Sequence, residues 1–153
     1  MFLLIAFGYG FVSGLRSVTG LAVVSWAARA GWLTLGGTWL AFLGYTWTPW
    51  ILIAAAAAEL VNDKLPKTPS RKSPPQFAVR VLTGAMCGLA IGFSTGSAFW
   101  GLICGITGAV AGTYAGAAAR SYLVKAIGGR DLPIALVEDF ITVTLATLLV
   151  LPL

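Results

Sequence analysis

The sequence predicts an all-α membrane protein, a polytopic bundle of about five transmembrane helices with glycine-zipper packing. Three observations carry that prediction. Of 153 residues, 58% are hydrophobic and only 10% charged, where soluble domains carry about 25% charged residues. Mean hydropathy is +0.89. The charges are also unevenly placed: residues 81–119 contain none, while four of the ten bases, Lys64, Lys67, Arg71 and Lys72, crowd one proline-rich loop. Residues 1–153 read as a single integral-membrane domain.

Met1-Phe-Leu-Leu-Ile is apolar, with no basic region and no A-x-A cleavage site, so it reads as the start of a span rather than a signal peptide. A helix crossing ~30 Å of hydrocarbon needs about 20 residues. Span one is then roughly residues 3–28. Ser13-Gly14 and Thr19-Gly20 flank Arg16 and offer a place to kink or open. Residues 33–48 mix glycines with aromatic and polar residues, which predicts a loop with a short interfacial or re-entrant helix near Thr38–Gly44. Thr48-Pro49 makes an N-cap and first-turn pair. Span two runs from there to about Lys64, and Pro66 ends it. As one helix, residues 81–119 would reach ~58 Å, nearly twice the hydrocarbon thickness. They therefore divide at Ser94-Thr-Gly-Ser97 into span three, about 77–95, and span four, about 98–125. Asp131 as N-cap and Pro133 in the first turn open span five.

Two signals give the same orientation. Lys64, Lys67, Arg71, Lys72, Lys125 and Arg130 fall on one side, which the positive-inside rule makes cytoplasmic, with loop 64–76 facing anionic lipid head groups. Trp26, Trp32, Trp39, Trp47, Trp50 and Trp100 fall on the other side as an aromatic belt, with Arg29 the one base out of place. The N-terminus is expected inside and the C-terminus outside. No helix presents a polar basic face, so nucleic acid is not an expected partner. With no histidine, and with Cys87 and Cys104 set in apolar glycine-rich stretches, the usual zinc and haem ligand sets are missing. No cofactor is evident beyond a cation or proton.

Gly84, Gly88, Gly92 and Gly96 repeat every four residues on span three, and Gly101, Gly105, Gly108, Gly112 and Gly116 form a second row on span four. Lipid gives helices little reason to associate except close packing, which small residues permit. These rows are expected to join spans three and four, within one chain or across a homodimer.

The charges inside the spans mark the candidate site. Glu59 and Asp63 are four residues apart and share one helix face. Glu138 and Asp139 follow Asp131 by about two turns. Arg120 continues the line Gly108, Gly112, Gly116, so it points at protein, and Arg16 shares a stripe with Tyr9, Ser13 and Gly20. A lone charge at the bilayer centre costs ~2.5–3.5 kcal/mol. These residues are therefore expected to meet in one polar cluster formed by spans one, two, four and five. The bland alternative is a structural ion-pair network that fixes helix register, in which Lys64 and Arg80 could simply snorkel to the head groups. The four acids against two interior arginines argue for a proton or cation as ligand; Arg16 and Arg120 keep an anion or lipid phosphate in view. Gly14-Leu-Arg16-Ser17 and Ala118-Ala-Arg120-Ser121 look alike on helices expected to run oppositely, a weak sign of an inverted repeat.

Three pieces together, Gly14-Leu-Arg16-Ser17, Glu59-Leu-Val-Asn-Asp63-Lys64-Leu-Pro66, and Asp131-Leu-Pro133 followed by Glu138-Asp139, resemble a bacterial membrane family catalogued as domain of unknown function 4126. The resemblance implies an all-α membrane fold and an inner-membrane location, and brings no activity. Glu59, Asp63 and Lys64 also resemble the acid-Asp-Lys motif of divalent-cation exporters, with the first acid one residue further away. The expected function is a small transporter or permease-like protein. Glu59, Asp63, Glu138 and Asp139 would bind a cation or proton, with Lys64, Arg16 and Arg120 beside them. The other readings are an intramembrane metal-dependent enzyme acting on a lipid phosphate and a non-catalytic membrane assembly subunit.

Overall fold

The first expected span is two helices, not one. The computed structural model describes residues 1–62, 73–126 and 131–150, with the side chains of Asp131 and Leu132 left out of the description. Helix α1 is Phe2–Leu15 and α2 is Thr19–Arg29. They are followed by a 3-10 helix, Trp39–Gly44, then α3 (Thr48–Asn62), α4 (Pro74–Ser94), α5 (Ala98–Ala126) and α6 (Asp131–Leu148). Among the described residues there are no strands. At 1.5 Å per residue α1 and α2 reach only ~21 and ~16 Å, so neither crosses ~30 Å of hydrocarbon alone. Helices α4 and α5 are long and apolar enough to cross a membrane.

Helix α2 runs back towards the end where α1 began. Gly20 lies against Ser13 and Tyr9, Trp26 meets Trp50 edge-on at 5.4 Å, and Thr34 N donates to Ser94 Oγ at 3.1 Å. Because the hairpin returns, Met1 lies at the same end as the tryptophans, where the opposite end was expected. All six tryptophans are exposed on the chain. Thr48 Oγ1 donates back to Phe42 O at 2.7 Å, so it fastens the 3-10 helix instead of serving as the expected N-cap.

Helices α1, α4 and α5 form the tightest part of the molecule, because glycines let their backbones touch. A Cβ at Gly88 would lie 2.8 Å from Gly105 Cα, and one at Gly14 would lie 2.8 Å from Gly112 Cα. Two expectations change here. The span-four row divides: Gly101 and Gly105 face α4, whereas Gly108 and Gly112 face Phe7 and Phe11 of α1. Gly96 is not a packing residue, because α4 ends at Ser94 and Gly96 takes φ +72 in the turn with nothing within 4 Å. Helix α3, by contrast, buries only Pro49 and Ala56. Gly88→Leu is expected to part α4 from α5 and reduce the yield of folded protein, read by size-exclusion profile in detergent. Gly36→Ala, where no atom lies within 4 Å, should leave that profile unchanged.

Candidate functional site

The site is built on the break between α1 and α2. Arg16 leaves the helix at φ −140, ψ 115, Ser17 and Val18 turn, and α2 begins at Thr19. A break inside a bundle strands carbonyls on one side and amides on the other, and each needs a partner where water is scarce. Arg80, from α4, supplies the first side: its Nη1 donates to Gly14 O at 2.9 Å and to Leu15 O at 2.6 Å. Thr113 Oγ1 adds a 3.3 Å bond to Gly14 O. Glu59, from α3, supplies the second side. Ser17 N and Ser17 Oγ donate to its Oε1 at 2.8 and 2.7 Å, and Val18 N donates to its Oε2 at 2.9 Å. A cation thus sits on the C-terminal end of α1 and an anion on the N-terminal end of α2, as the two helix dipoles favour. Arg80 Nη2 and Glu59 Oε1 stand 3.9 Å apart across the break.

Helix α6 is fastened to the same region. Arg16 is fully buried and its Nη2 pairs with Asp139 Oδ1. Arg120 Nη1 faces Glu138 Oε2 at 3.7 Å. Further along, Tyr9 OH donates to Ala146 O at 3.0 Å. The Arg120–Glu138 pair is longer and more open than the Arg16–Asp139 pair, with side chains 17% and 12% exposed. Arg120→Ala is expected to lower the unfolding midpoint less than the loss of Arg16, because its pair is longer and less buried.

Of the residues singled out in the sequence, Arg16, Glu59, Arg120, Glu138 and Asp139 do meet side chains from distant parts of the chain. Asp63 and Lys64 lie outside the described residues, as does most of loop 64–76. Arg80 corrects the expected cluster. It does not snorkel; it is 3% exposed and holds the centre of the break. Span three therefore belongs to the site, and among the described residues Arg16, Arg80 and Arg120 each face an acid, Asp139, Glu59 and Glu138 respectively. The acid excess that argued for a cation is not present among the described residues. The sequence did carry a signal for Arg80, which stands four residues before Gly84 on the line Gly84, Gly88, Gly92. The likeness between the Arg16 and Arg120 segments does not extend to backbone: the first is extended, the second lies inside α5.

Beside the break, between the C-terminal half of α3 and the first turns of α4, lies a cleft of about 820 Å³. Ser17, Glu59 and Arg80 form its polar end, Val18, Ala58 and Val79 are among its apolar walls, and Asn62 and Gln76 also line it. Among the described residues no three cysteines, histidines or acids converge to hold a metal ion.

Residues 3–152 match the family described as "Domain of unknown function (DUF4126)". No curated protein and no solved structure matches the chain.

Proposed function

The chain belongs to that family, and since its description names no activity, we propose from the geometry that the protein is a small permease-like membrane transporter whose buried acids respond to a proton or cation. One observation carries the reading: a helical hairpin that turns inside the bundle, its two facing helix ends held by opposite charges from two other helices, beside a cleft. Discontinuous helices at membrane depth are how many transporters build a binding site, and irregular backbone is tolerated there where it is buried or lines a cavity. In this reading α4 and α5 cross the bilayer, the shorter α3 and α6 run between the same two faces where the bilayer thins around them, and α1–α2 enters as a re-entrant hairpin. Glycine-zipper contacts make α1, α4 and α5 the rigid part. Loop 64–76 faces the cytoplasm of a bacterial cell at the inner membrane, against anionic head groups, and the tryptophans lie outside. A homodimer would enlarge the small bundle.

The moving part is α3. A proton or cation on Glu59 weakens its hold on the Ser17 and Val18 amides and on Arg80, and α3 then shifts against the rigid helices. Glu138 and Asp139 hold α6 in the same manner. The test is proton entry into liposomes after an external acid jump, read with a trapped pH dye. Wild type is expected to admit protons faster than protein-free vesicles, and Glu59→Gln to remove most of the difference. Equal entry in wild type and Glu59→Gln contradicts the reading.

The pairing of acids with arginines among the described residues also favours a second reading, a non-catalytic assembly subunit whose charges only fix helix register. A partner that co-purifies at constant ratio, with no proton entry, would select it. A lipid-phosphate enzyme has less support, because the described acids are bound to arginines and not gathered as ligands for a metal.

A further inference from the structure

We propose that the cleft between α3 and α4 binds an amphiphile with an anionic head, a carboxylate or a phosphate monoester on an apolar body, and that the Glu59 carboxylate is the internal competitor for the head's position. The proposal deepens the transporter reading by naming the substrate class for the same site. It rests on three features: the donors around one point, the walls, and the placing of the competitor.

The donors come first. Ser17 N, Ser17 Oγ and Val18 N converge on the Glu59 carboxylate, and Arg80 Nη2 faces it at 3.9 Å. Each is a donor or a positive charge, and together with the N-terminal end of α2 they make a setting for an oxyanion. A carboxylate is already seated there, so the geometry accepts that chemistry.

The walls choose an amphiphile over a free anion. Away from the polar end the cleft is bounded by Val18, Ala55, Ala58, Val61, Pro75 and Val79. At about 820 Å³ it falls within the ~300–1,000 Å³ of small-molecule sites. A simple anion would fill the polar end and leave the apolar remainder bare.

The competitor sits on the helix best able to leave. Helix α3 packs against α2 and the 3-10 helix and buries only two of its 15 residues. Glu59 can therefore be exchanged for a head group without disturbing the glycine contacts of α1, α4 and α5. Weakening the competitor should tighten the ligand: if the site is open about one-tenth of the time in wild type, Glu59→Gln raises apparent affinity up to about tenfold.

The experiment is photo-crosslinking of a diazirine-bearing dodecanoate to the full chain in zwitterionic nanodiscs, with labelled peptides mapped by mass spectrometry. Label is expected on residues 55–61 and 75–79, reduced by competing dodecanoate or dodecyl phosphate and not by dodecylamine, acetate or inorganic phosphate. Glu59→Gln should raise labelling at low probe concentration. Val79→Trp should abolish it while leaving the unfolding temperature and oligomer profile of wild type. Equal competition by dodecylamine would overturn the anionic head, and competition by acetate or inorganic phosphate at similar concentration would overturn the amphiphile. Unchanged labelling in both Glu59→Gln and Val79→Trp would overturn the site itself. Because binding is read without flux, specific labelling in a protein that admits no protons would sink the transport reading alone.

Discussion

Arg80→Met is expected to be the most damaging single substitution in the molecule. The guanidinium bonds the carbonyls of Gly14 and Leu15 and faces the Glu59 carboxylate, and Arg80 itself is 3% exposed. Methionine fills much of the volume and supplies none of those donors. Leu15 O loses its charged partner at a cost of about 1–3 kcal/mol, and Gly14 O keeps the long bond from Thr113 Oγ1. Breaking a buried ion pair by removing one partner costs about 3–5 kcal/mol on its own. The expected result is a large drop in unfolding midpoint in detergent, or no folded protein. Adding Glu59→Gln to Arg80→Met removes the stranded charge but returns nothing to the carbonyls, so it should recover less than half of the loss.

The second large effect is at Arg16, with the opposite pattern of rescue. Arg16 is fully buried and pairs with Asp139 on α6. Arg16→Met alone leaves Asp139, 8% exposed, facing a thioether, again a loss of about 3–5 kcal/mol. Exchanging a buried pair for apolar side chains of similar size is often neutral. Arg16→Met with Asp139→Leu should therefore recover more than half of the stability lost in Arg16→Met. A double variant no better than the single would show that Arg16 acts mainly through other partners. The contrast between the two rescues separates a charge that pairs with a charge from one that also caps a broken helix.

Much of the fold could be read from hydropathy and punctuation. The charge-free run divided at Ser94–Ser97, and α4 and α5 begin and end within a few residues of the expected limits. Ser13-Gly14 and Thr19-Gly20 marked where α1 and α2 part, but not that the chain turns back there. Residues on both sides of Arg16 are mostly apolar, and a hydropathy window averages two half-helices into one span. The reversal of direction depends on contacts such as Gly20 with Ser13 and Val18 with Glu59, which no local pattern encodes. The candidate site was partly legible because a charge in an apolar run is expensive wherever it lies. Arg80 was misjudged because it stands near a helix start, where snorkelling is the ordinary outcome, although its spacing to Gly84 placed it on the packed face. Charge balance was misjudged with it, since counting interior arginines depends on which of them turn inward.

The central claim is that the opened backbone after Leu15 is stabilised by a guanidinium from α4 deep in the bundle. Solid-state NMR in lipid bilayers tests it directly, through dipolar transfer between ¹⁵N-labelled arginine side chains and ¹³C-carbonyl labels at Gly14 and Leu15, assigned by difference against Arg16→Lys and Arg120→Lys proteins that retain Arg80. The bonds at 2.9 and 2.6 Å predict strong transfer from Arg80 to both carbonyls and none from its guanidinium to lipid ³¹P. Transfer to ³¹P with no signal to either carbonyl would contradict the account.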